Sequence, residues 1–197
     1  GLGLVVVLAV ARIFLLDIAV VGHNGMAPTL LAGDQVLAWR FGSVDRLQIV
    51  MCAHPRRQEQ SGQMVFGRVM ALAGESLKSD PQGALQVGTL SPSKEIGHAF
   101  TFKDSVRGKE LPSYLVIETL TGKRYQTLYP PSVRLSLPVY SVKNGVFLLG
   151  DNRNIHADDS RSYGEVDPER CRGRIFMRLK PAKNTPKFLK HSWFEWL

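Results

Sequence analysis

Cysteine is scarce in this chain, with only Cys52 and Cys171 among 197 residues. Two cysteines exclude a disulfide-dense scaffold and a cysteine-rich tetrahedral zinc centre, and leave open a single bridge or two free thiols. Helical periodicity is also missing. Between residue 22 and the C-terminal tail no apolar stripe of period 3.6 lasts three turns, which argues against a helical domain. No cluster of Asp, Glu and His has metal-ligand spacing, and arginines beside Asp158 and Asp159 compete for those carboxylates; neither a metal nor another cofactor is expected. Acidic residues are outnumbered 17 to 25 by lysine and arginine, for a formal charge of +8. That excess raises a basic, β-rich nucleic-acid-binding module as a distant alternative. Without a basic helical face or a reader motif, no nucleic acid is expected, and an anionic membrane surface accounts for the charge more simply.

What is present begins with an apolar run, residues 2–11, followed by Arg12 and Asp17. A spanning helix needs roughly 20 apolar residues and tolerates charge poorly at its centre. Residues 1–16 are therefore expected to be the end of a transmembrane helix and its junction, with Arg12 snorkelling at the interface. A cleavable signal segment fits less well, because the apolar run leads directly into the stretch at 22–37 without a small-residue cleavage region. From residue 17 onward strand signals dominate: 17–21, 36–41, 47–53 and 64–72 are short apolar or alternating runs separated by Gly, Ser and Asp. Residues 17–75 read as the first part of a β body, 76–112 as an irregular excursion rich in Gly, Ser, Pro and Lys, and 113–180 as the remainder. Within that remainder, 114–119 and 124–129 flank a Gly-containing turn, and Asn144-Gly145 predicts a second hairpin that places 146–149 on a strand. Residues 181–197 form a basic and aromatic tail, of the composition found at membrane surfaces and protein interfaces.

Four stretches stand out. GHNGMAPTL holds Met26 and Pro28; Gly33-Asp34 turns the chain into an alternating run; Arg68 to Glu75 reads RVMALAGE; and residues 150–166 read GDNRNIHADDSRSYGEV, with Gly150, Asp151, Asn152, Arg153, Asp159, Ser160 and Arg161. In this order they resemble the boxes of the bacterial signal peptidase I family, membrane-anchored serine peptidases that remove signal sequences. The resemblance covers nearly the whole chain. It implies a mainly β fold, a coiled antiparallel body with an N-terminal membrane helix, at the cytoplasmic membrane with the body on the periplasmic or extracytoplasmic side.

The family's chemistry needs a serine nucleophile and a lysine general base whose pKa burial has lowered. By the same resemblance Gly25 stands at the serine position and Gly67 at the lysine position, so neither half of the dyad is present. The supporting positions differ too: His23 replaces a serine that helps form the oxyanion hole, and His156 or Ala157 replaces one that orients the lysine. Thr29, Ser160 and Ser61 are poor substitute nucleophiles; His23, His54, His98 and His156 meeting Asp158 or Asp159 is the remaining route to catalysis. The leading expectation is an inactive relative that binds an extended peptide or serves as a subunit of a membrane or envelope complex, with lipid as a further partner. The alternative is an active type I signal-peptidase-like serine endopeptidase with a non-standard site.

Overall fold

The computed structural model describes residues 15–56, 63–183, 185, 186, 189 and 191–197. Antiparallel strands are its main regular structure. The main sheet runs in the order β1 (Leu16–Val20), β2 (Gln35–Trp39), β12 (Cys171–Lys180), β3 (Ile49–Ala53), β4 (Met64–Ala71), β11 (Phe147–Leu149), and β13 (Glu195–Trp196) adds to β12. The alternation of β2 shows why it forms: Val36 and Ala38 are fully buried while Gln35, Leu37 and Trp39 face the other way. Its inner side joins Met26, Leu30, Met51 and Phe66 in one apolar core.

Two smaller sheets pack at the far end. One is β10 (Tyr140–Ser141), β5 (Ser76–Ser79) and β6 (Leu85–Val87); the other is β7 (Ser93–Asp104), β8 (Lys109–Leu120) and β9 (Lys123–Tyr129). A second core gathers Leu77, Leu85, Val116, Leu137 and Phe147 between them and the main sheet. The β8–β9 hairpin follows the sequence expectation, with Thr121 and Gly122 at positive φ in its turn.

Two expectations are corrected. Residues 76–112 are not irregular: they hold β5, β6 and the twelve-residue β7. β7 is exposed along most of its length, so no buried alternation marks it; ten register pairs with β8 hold it instead. The stretch around Asn144-Gly145 is not a hairpin either. β10 pairs with β5 and β11 with β4, so the chain changes sheet there. The longest described helix is the single turn Ser160–Tyr163, and no described helix is long and apolar enough to cross a membrane. The membrane helix expected in 1–16 falls almost entirely outside the described residues.

Cys52 and Cys171 face each other across β3 and β12 and are joined in a disulfide. The outward side of the main sheet is apolar in a way the register makes plain. Leu16, Trp39 and Arg174 form one row, Ile18, Leu37, Met177 and Trp196 the next, and Val20, Gln35 and Lys180 a third. Val20 is 60% and Trp196 72% exposed, and exposed Trp193 and Phe194 lie in the neighbouring tail.

Candidate functional site

The site forms where the turn after β1 meets the loop after β11. Gly150 is required by close approach: a Cβ there would lie 2.3 Å from the Gly25 carbonyl oxygen. The same carbonyl accepts from the Asn152 amide at 2.9 Å, and Asn152 Nδ2 donates to the Asn24 carbonyl at 3.3 Å. Asp159 braces the loop from behind. It accepts from the Gly150 amide at 3.0 Å and from the Arg161 guanidinium, which also donates to the carbonyls of Arg153 and Ile155. Ser160 Oγ accepts from the Leu148 amide at 2.9 Å and is therefore a structural hydroxyl. The Thr29 hydroxyl is engaged as well, donating to Asp151 Oδ2 at 2.5 Å, and Ser61 lies outside the described residues.

The other residues singled out by sequence brace the body. Met26 is core, and Pro28 lies in the turn that follows it. Gly33 has φ +96°, and Asp34 then ties Leu31, Ala182 and Arg178 together. Arg68 makes a two-point pair with Asp151, at 2.8 and 2.7 Å. Arg153 reaches Glu118 at 2.8 Å, with Tyr129 donating to the same carboxylate at 2.6 Å.

The two dyad positions are filled by other side chains. A Cβ on Gly25 would meet Asp158 Cβ at 2.7 Å and His23 Nδ1 at 2.9 Å; one on Gly67 would meet Leu148 Cβ at 2.8 Å. Such distances require neighbouring atoms to move. His23 links the two segments. Its Nδ1 lies 3.1 Å from the Gly25 amide nitrogen and 3.4 Å from Asp158 Oδ2, while the Phe66 amide approaches Nε2 at 3.3 Å. A neutral ring has one acceptor nitrogen, so either tautomer caps one of these two backbone donors; a protonated ring caps neither. Burial pushes the His23 pKa below its ordinary value, against the opposing pull of Asp158.

Only His23 of the four candidate histidines meets Asp158. His54 packs edge-on against Tyr163, His98 lies beside Phe100 on β7, and His156 is held below its ordinary pKa by burial and by Arg161. Among the described residues no group of three His, Cys, Asp or Glu side chains could hold a metal.

Sequence reasoning missed the hairpin tip between β7 and β8. Arg107 donates to Asp158 Oδ1 at 2.6 Å and to Asp104 Oδ2 at 3.1 Å, and Asn24 Nδ2 donates to Asp104 Oδ1 at 2.8 Å. Burial works against the charged form of Asp104, but the bonds from Asn24, Arg107 and two backbone amides outweigh it and hold its carboxyl below the usual range. The one sequence signal was Asp104 preceding a Gly-containing turn, which does not reveal that Arg107 in that turn pairs with Asp158, 51 residues away.

Two backbone edges flank His23. Among the described residues β1 pairs only with β2, and β4 pairs with β11 only from Arg68 onward, leaving its first residues open on the side where the Phe66 amide points at His23. No curated protein matches the chain. The order of the boxes, the antiparallel β body and a family model for signal peptidase, peptidase S26, which matches residues 2–180, agree: the chain belongs to the signal peptidase S26 family.

Proposed function

We propose that this protein is a signal-peptidase-like binding subunit that holds an extended peptide at the extracytoplasmic face of a membrane without serine–lysine chemistry. The observation that carries the reading is the filling of both dyad positions, Gly25 by Asp158 and His23, and Gly67 by Leu148. Among the described residues no hydroxyl faces a lysine there. What remains of the groove is two strand edges, which suit a peptide added as a further strand: its backbone supplies affinity and alternate side chains supply selectivity. Anchoring is supported by the apolar run at 2–11 and by the outward apolar face rimmed by Arg172, Arg174 and Lys180.

The His23–Asp158 pair supports a second reading, an endopeptidase in which His23 is the base. Incubating purified protein in detergent with a preprotein separates the two. Binding without cleavage is the expected result; cleavage at the signal junction that survives metal chelation and is lost in His23→Gln would sink the binding-subunit reading.

A further inference from the structure

A cavity of about 880 Å³, with Asn24 in its lining, lies between the turn at 31–35, the end of β7, residues 180–183 and Pro186. Its volume is in the range of small-molecule sites, roughly 300–1,000 Å³. Leu31, Phe102, Pro181, Ala182 and Pro186 supply an apolar lining. Three lysines, Lys103, Lys180 and Lys183, also line it, and among the described residues no carboxylate does. Lys103 is paired only with the exposed Glu110; Lys180 lies over the Trp193 ring, and neither Lys180 nor Lys183 has an ion-pair partner among the described residues.

An apolar interior beside two ammonium groups without a carboxylate partner among the described residues, Lys180 and Lys183, selects a ligand with an apolar body and an anionic end. The cavity's position narrows this further. Gln35 and Lys180 line it and also form, with Val20, the last row of the outward apolar face. The cavity is therefore continuous with the surface proposed to face lipid. Its far wall, Pro181, Ala182, Lys183 and Pro186, lies beyond the residues matched by the family model. We infer that this cavity binds a single anionic lipid, with the acyl chain against Leu31, Phe102 and Ala182 and the head group on Lys103, Lys180 and Lys183.

The inference rests on the membrane-facing placement but not on the peptide groove, and its test uses no vesicle and no peptide substrate. The purified chain is titrated with lysophosphatidylglycerol, lysophosphatidylcholine or laurate below their micellar concentrations, and followed by native mass spectrometry and tryptophan fluorescence. One saturable adduct of lysophosphatidylglycerol is expected, at least tenfold tighter than lysophosphatidylcholine and weakened by salt. Laurate binding as well shows that any anionic head suffices; its failure shows that the lysines read phosphate, and both outcomes fit the site. Lys180→Glu with Lys183→Glu is expected to erase the tenfold preference. Ala182→Trp is expected to abolish the adduct while circular dichroism and Tm stay unchanged. Equal affinity for the two lysophospholipids, adducts accumulating without saturation, retention of the preference in the double variant, or displacement by an acidic peptide without apolar residues would each overturn the inference.

Discussion

Gly25 and Gly67 are empty of side chain, but the space around them is not vacant. Restoring serine at 25 places its Cβ inside contact distance of Asp158, and restoring lysine at 67 places one against Leu148. We expect no preprotein cleavage by Gly25→Ser, alone or with Gly67→Lys and His23→Ser, at concentrations where an active signal peptidase processes fully. Gly67→Lys should also lower stability by about 1–3 kcal/mol, the usual range for overpacking a filled core, read as a shift in the urea midpoint. Robust cleavage by the single serine variant would mean that a base already exists in this chain. His23 carries a second residue-scale prediction. Its folded pKa is depressed from 6.5, so its neutral form contributes stability that is complete above pH 6.5 and is lost as pH falls toward the folded value. His156 and His191 are depressed in the same direction. Unfolding midpoints should therefore drop between pH 7 and pH 5, and His23→Gln should flatten part of that slope; an unchanged slope would remove His23 from the account.

At the scale of elements, what the sequence disclosed was set by burial. β2, β3 and β4 were legible because their apolar residues alternate or run together, and the β8–β9 hairpin because a Gly turn separates two such runs. β7 was not, since its residues face solvent and its ladder with β8 is a tertiary fact. The pairing of Arg107 with Asp158 was hidden for the same reason. The boxes at 22–34, 68–75 and 150–161 were legible as motifs, and the structure assigns most of them to bracing. Arg153 with Glu118 is the clearest brace, since both are almost completely buried and tie the loop after β11 to β8. Removing one partner of such a pair leaves an uncompensated buried charge. Glu118→Ala is therefore expected to cost about 3–5 kcal/mol in chemical denaturation, whereas an exposed pair such as Lys103 with Glu110 should cost under about 1 kcal/mol.

At the scale of the whole molecule, the outward apolar rows and the aromatic tail are the features that most constrain where the protein sits. Trp193, Phe194 and Trp196 cluster within four residues, and Trp196 packs on Phe176 of β12. Truncation after Pro181 is expected to reduce retention of the body on vesicles containing anionic phospholipid, measured by co-sedimentation, and Trp39→Ser with Ile18→Ser should add to the loss. Unchanged sedimentation of both variants would turn attention to a protein partner for that face.

The bridge between Cys52 and Cys171 also has a bearing on damage. It closes the chain around everything from β4 to the start of β12, including the exposed turn at 105–108 that carries Arg107. A protease that cuts in this turn breaks the backbone but releases nothing, because both fragments remain joined through sulfur. The nicked protein should run as one species on a non-reducing gel and as two after reduction. In an oxidising compartment rich in proteases, a single scission would thus leave the two halves of the site tethered at intramolecular concentration.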